Sequence, residues 1–145
     1  MDSLKDRGRV KDTIEYPLVP PGDYDAAYWK HSIFSMYGGA EKLRVFFQVI
    51  DQGPAFEARI PWFNNVTIIS KKNHRWTAGT RTTFMRTFSA LTGYDPRKHG
   101  RVIPISWLKG NVYQIKVVTV TQDRRKRPIP EGLQYSKVGD ISNVE

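Results

Sequence analysis

The chain contains no cysteine, which excludes disulfides, thiolate-ligated zinc and thiol nucleophiles together. Its three histidines, His31, His74 and His99, are too far apart for the i, i+4 pair of a helical metal site. Acidic residues are sparse, 14 against 23 Lys and Arg, and Asp51, Glu57 and Asp95 stand singly among basic neighbours, without the clustering that would hold Mg²⁺. No apolar run approaches the roughly 18 residues that a membrane span requires. The opening MDSLKDRGRVKD is charged where a secretory signal needs an apolar stretch, so Asn65-Val66-Thr67 has no meaning as a glycosylation sequon. The GxSxG, P-loop, HExxH and EF-hand patterns are missing. These absences lead to the expectation of a non-enzymatic, cytoplasmic protein with no metal, cofactor or membrane partner.

What the chain does have is positive charge. A formal net charge of +9 over 145 residues favours polyanionic partners, nucleic acid first and an anionic membrane surface second, unless the charge serves solubility alone. With 39% hydrophobic and 26% charged residues, composition is otherwise that of a globular domain, and the length suits one domain with tails.

Residues 1–20 alternate acid and base and end at Pro17, Pro20, Pro21 and Gly22, the composition of a flexible arm closed by a turn. A domain over 21–142 then begins, leaving 143–145 as a tail. Asp23 to Phe34 reads as a first strand that stops at the glycine turn Tyr37-Gly38-Gly39. From Lys42 to Ile50, Leu43, Val45, Phe47 and Val49 alternate with Arg44, Phe46 and Gln48, the period of a half-buried strand. After the turn Asp51-Gln52-Gly53-Pro54, alternation of Phe56, Ala58, Ile60 and Trp62 predicts a third strand, with Pro61 marking an edge or bulge.

Phe84, Met85, Phe88 and Leu91 share one helical face, with Thr80 placed to cap the start and Gly93 the end. NVYQIKVVTVT, residues 111–121, is a fourth strand by its β-branched content, and Leu133 to Ile141 a fifth. Three strands, a helix and two strands make a mainly β fold in the order of a five-stranded OB-like barrel, with one short helix between strands 3 and 4. An SH3-like barrel, or another small sheet with one helix, has much the same element order.

Binding a single strand without regard to sequence takes cations for phosphates and flat rings for bases on one surface. If Leu43, Val45 and Phe47 face the core, Arg44 and Phe46 face outward, and a core-facing Phe56, Ala58 and Ile60 puts Arg59 and Phe63 outward too. In the first strand, inward Tyr24, Ala26 and Tyr28 leave Trp29 and His31 outward; the opposite parity exposes Tyr28 and Lys30 instead. Either these rings stack on bases, or the N-terminal arm, a loop or a second subunit covers them. Loops supply further candidates: Tyr37 in the glycine turn, Lys71, Lys72, Arg75 and Trp76 before the helix, Arg97 to Arg101 after it, Lys116 on the fourth strand, and Arg124, Arg125, Lys126 and Arg127 between the last two strands. There is no RNP signature, zinc-finger pattern or helix-turn-helix.

The layout GDYDAAYW, LRVFFQV, TRTTFMRTFSAL, ISWLKGNVYQIKVVTV and LQYSKVGDI, over roughly residues 22–142, resembles single-stranded-DNA-binding proteins of OB type carried by bacteriophages and mobile elements. The resemblance implies coating or guiding single strands in the replication or recombination of such an element, as a homo-oligomer, with replication or recombination proteins as further partners. The ending DISNVE lacks the long acidic, aromatic-tipped tail by which bacterial relatives recruit repair proteins, which puts that recruitment in doubt. Two alternatives share these features: an OB protein that binds RNA, and an inhibitory protein of a mobile element that docks its basic face on an acidic host surface.

Overall fold

The computed structural model describes residues 16–35, 41–70, 72–73, 75–99, 102–123 and 125–144. Its main layer is a five-stranded antiparallel sheet, with strands β1 (Gly22–Ser35), β2 (Glu41–Val49), β3 (Arg59–Asn65), β6 (Val112–Val120) and β7 (Tyr135–Asn143) in the order β3-β2-β1-β6-β7. A separate two-stranded hairpin, β4 (Thr67–Ser70) and β5 (Arg75–Thr77), precedes the helix α1 (Thr83–Thr92). A single turn of helix, α2 (Pro96–His99), and two short 3₁₀ turns, Ile105–Leu108 and Glu131–Leu133, complete the elements. The fold is mainly β with one short helix of more than a turn. The sheet is not closed into a barrel: β3 and β7 form its ends and share no hydrogen-bonded register among the described residues, although Phe63 and Tyr135 bring their rings to 6.4 Å. No helix among the described residues is long and apolar enough to cross a membrane.

β1 is long because it serves both halves of the sheet. Its start pairs with β6, from Gly22↔Val117 to Ala27↔Val112, and its remainder with β2, from Ala26↔Val49 to Ser35↔Glu41. A register shift between Tyr28 and Lys30 leaves Trp29 as an extra residue, and such a bulge bends a strand and reverses its facing beyond that point. Tyr24, Ala26 and Tyr28 therefore face the core as expected, but His31 does too, opposite Val45, which corrects its assignment to the outer face.

On β2, Leu43, Val45, Phe47 and Val49 are fully buried, as their alternation predicts, and Ile60 and Trp62 of β3 join them. Phe56 does not. It sits in the turn before β3, 43% exposed, because the chain is still closing on itself there: the Val49 amide donates to the Ala58 carbonyl and that of Glu57 donates back to Val49. β3 thus begins at Arg59. Leu133 likewise lies exposed in a 3₁₀ turn ahead of β7.

Thr82, two residues past the expected Thr80, caps α1 by accepting from the Met85 amide at 3.1 Å. Gly93 ends the helix at φ 79°, a left-handed conformation that glycine adopts without a Cβ clash, and its N–H donates to the Ser89 carbonyl. The apolar face of α1 extends the core as a chain of rings: Tyr113–Phe47 at 5.8 Å, Phe47–Trp62 at 6.1 Å, Trp62–Phe84 at 5.5 Å, Phe84–Phe88 stacked at 5.5 Å and Phe88–Tyr94 at 5.6 Å. Each such burial is worth about 1.5–3 kcal/mol over exposure, which fixes the helix against the sheet. The opposite face of the sheet is left to other uses.

Candidate nucleic-acid interface

Alternation on β2 and β3, together with the bulge in β1, places three cross-strand rows on the outer face of the sheet. They are Ala27–Gln48–Arg59, Lys30–Phe46–Pro61 and Ser32–Arg44–Phe63, with Phe34 and Lys42 beyond. Trp29 emerges between the first two rows. The residue is 37% exposed, with the Arg59 guanidinium carbon 3.8 Å and the Lys30 Nζ 4.5 Å from the ring centre. Arg59 is oriented by its Nε, which donates to Gln48 Oε1 at 3.0 Å, and Trp29 by an edge-on contact with Phe46 at 5.8 Å. Both cations lie over the ring, so a base that stacks there takes the place of one of them and frees it for a phosphate.

The other end of the face is covered. Phe46 is 3% and Arg44 4% exposed, and Phe63 is half-buried, so of the two readings open for these outward side chains, the structure shows the covered one here. Residues 16–20, read from the sequence as the end of a flexible arm, provide the cover. Tyr16 packs on Phe46 at 6.4 Å, edge-on to Phe63 at 5.5 Å and against Tyr135 at 5.1 Å. The Ser136 amide donates to the Pro17 carbonyl, the Val19 amide donates to Ser136 Oγ, and Val19 enters the core. The reason is hydrophobic: at about 25 cal/mol per Å², apolar rings on a sheet face favour whichever neighbouring segment can cover them. Alternation defines a face; it does not say whether water or chain lies on it.

Within this cover, Arg44 donates from Nη1 to the Tyr16 hydroxyl at 2.7 Å and from Nε and Nη2 to Ser32 Oγ at 3.3 and 3.1 Å. Its guanidinium also lies 4.4 Å from the Phe34 ring centre and 5.3 Å from that of Phe46. Burial, and then Tyr16, push the Tyr135 phenol above its ordinary pKa.

The hairpin between β6 and β7 continues from this covered end, since β7 begins at Tyr135. Gln122 bridges Pro128, and Asp123 organises the tip: its carboxylate accepts from the amides of Arg125 (2.8 Å) and Arg127 (2.9 Å) and from Arg127 Nε (3.0 Å). Those donors, led by the Arg127 amide, hold the Asp123 carboxyl below the usual range. Arg125, Lys126 and Arg127 are all exposed, and Lys126 takes a left-handed φ of 62°. The basic run is a shaped turn.

The remaining candidates lie elsewhere or serve another purpose. Lys72 and Arg75 are exposed at the β4–β5 hairpin. Trp76 is half-buried, edge-on to Phe84 at 5.6 Å and to His31 at 6.5 Å, so it packs against the core beside the β4–β5 hairpin. Lys116 is exposed on β6 opposite Asp140. Arg97 pairs with Asp95 at 3.4 Å. Tyr37, Lys71, His74, Arg101 and Arg124 lie outside the described residues. Among the described residues no three His, Asp or Glu side chains are grouped to hold a metal ion. The sequence reading placed Gln48 on the outer face without a role, and gave none to Tyr16, Phe34 or Tyr135; a Tyr just before Pro17, and a Phe near the end of β1, were the available signals.

Compared with family models, curated proteins and solved structures, the chain matches none of them.

Proposed function

We propose that this protein binds single-stranded DNA along the outer face of β1, β2 and β3, in the replication or recombination of a phage or mobile element. The observation that carries the reading is Trp29: an exposed ring flanked by Arg59 and Lys30, on a face whose far end leads into the basic 121–129 hairpin. Bases stack on Trp29, phosphates meet Arg59 and Lys30, and Arg125 and Lys126 extend the electrostatic track. The strand order β3-β2-β1-β6-β7, with Phe63 of β3 beside Tyr135 of β7, supports an OB-like arrangement in which this face is the binding face. Duplex reading by the helix is disfavoured, because Phe84, Met85 and Phe88 commit α1 to the core.

The test is a fluorescence-anisotropy titration with a labelled oligonucleotide of about 30 bases, single-stranded and as its duplex, at two salt concentrations. About four phosphate contacts weaken single-strand binding roughly 50-fold between about 50 and about 200 mM salt. Preference for the duplex, or no binding to either, overturns the reading. A matched RNA oligonucleotide that outcompetes the DNA reassigns the ligand.

A further inference from the structure

Among the described residues, Arg44 is a buried cation with no anion beside it. The residue is 4% exposed, its hydrogen bonds go to two neutral hydroxyls, of Tyr16 and Ser32, and among the described residues no carboxylate pairs with it. The rings of Phe34, Phe46 and Tyr16, 4.4, 5.3 and 5.9 Å away, offer only their π faces. A buried charge ordinarily has a charged partner, and a guanidinium carries five donors in a fork that fits phosphate oxygens. The element that closes this site is unlike the rest of the core. Tyr16 covers it from outside the sheet, and the ties of its segment to β7 come after it, at the Pro17 carbonyl, which accepts from the Ser136 amide, and at Val19 in the core, so the phenol can swing away while the segment stays in place.

We propose that Tyr16 is a removable cap on an internucleotide-phosphate site at Arg44. A strand running from Trp29 along the face displaces the phenol; its phosphate takes over the Arg44 Nη1 donor, and a base takes the place of the Tyr16 ring against Phe46 and Phe63. The closed form thus gives Arg44 a neutral partner until an anion arrives. This rests on the outer face being the single-strand binding face.

The experiment uses the full-length protein with Tyr16→Ala, Tyr16→Phe and Arg44→Met, titrated with the single-stranded oligonucleotide across a salt series. Removing the cap in Tyr16→Ala tightens binding roughly tenfold, the worth of one modest charge-assisted contact that the strand no longer has to break. Tyr16→Phe, which keeps the ring and loses the hydroxyl, falls between it and the wild type. Adding Arg44→Met to Tyr16→Ala abolishes the gain and reduces the salt slope by about 0.7, one single-strand phosphate; Arg44→Lys, which keeps the charge, retains that slope. Unchanged or weaker binding by Tyr16→Ala overturns the cap. A wild type that binds through Trp29 but is insensitive to Tyr16 and Arg44 sinks this inference alone, whereas a wild type that binds no single strand sinks the underlying reading as well.

Discussion

The Arg59 guanidinium lies over the Trp29 ring, 3.8 Å from its centre, while its Nε donates to Gln48 across the β2–β3 ladder. Because Gln48 and Arg59 are direct partners in the register, the cation is held in place before any ligand arrives. Preorganisation of this kind lowers the entropy lost on binding. Trp29→Ala is expected to weaken single-strand binding by about 1–3 kcal/mol, the usual worth of a stacking ring, with little change in folding stability. Arg59→Ala is expected to weaken it less and to reduce the salt slope. Parallel titrations and thermal melts check both; a Trp29→Ala protein of unchanged affinity places the bases elsewhere.

Phe46 behaves differently although it lies in the adjacent row. It is 3% exposed, and Tyr16 and Trp29 both pack on it. Phe46→Ala is therefore expected to cost about 3–5 kcal/mol of folding stability, the range for deleting a buried ring, and to impair binding both by loosening the face and by removing a ring that a base meets once Tyr16 is displaced. Urea unfolding of the variant measures this directly. A loss below about 1 kcal/mol together with weakened binding returns Phe46 to the role of an open stacking ring.

The contrast shows how far the sequence could be read. The face of each residue on β2 followed from alternation, and α1 from the spacing of Phe84, Met85 and Phe88 and from Gly93, because period and capping are local properties. The cover on that face was not local: Tyr16 reaches Arg44 across 28 positions and lies against Tyr135 at the far end of the chain. Nor did the bulge at Trp29 have a glycine to mark it, so the facing of His31 came out reversed. The β4–β5 hairpin was missed because Thr67–Ser70 is too short to display a period and runs into two lysines. The charge runs were legible, but their use was not: one Asp shapes the 121–129 turn, and Trp76 beside another run packs against the core.

The 121–129 hairpin allows its cations to be separated. Arg127 is paired with Asp123, whereas no ion pair is seen for Arg125 or Lys126 among the described residues. Replacing Arg125 and Lys126 with Gln is expected to lower the salt slope of single-strand binding by up to about 1.4, two phosphates' worth, while Arg127→Gln alone changes it less. All three are exposed, so stability is expected to stay within about 0.5 kcal/mol of wild type. A salt series on the variants decides it. An unchanged slope in the double variant takes the hairpin off the path of the strand.

His31 gives the fold a dependence on pH through the strand that carries Trp29. Its ring faces the core beyond the bulge, with Nδ1 2.7 Å from the Tyr28 hydroxyl and Trp76 alongside. Burial, and then the charge of Lys109, push its pKa below the ordinary imidazole value. The folded protein therefore takes up a proton at His31 less readily than the unfolded chain. Between the ordinary value of about 6.5 and the lower folded one, the unfolded state binds more protons, so stability rises with pH; it is fully present above about pH 6.5 and is lost as the pH falls through that window. Acidification from pH 7.5 to pH 5 is expected to lower the urea midpoint of the wild type more than that of His31→Gln, whose neutral amide retains a hydrogen-bonding group near Tyr28 and takes up no proton. Equal shifts in the two proteins would show that the imidazole is solvated in the folded state, and that β1 is held at the bulge by packing alone.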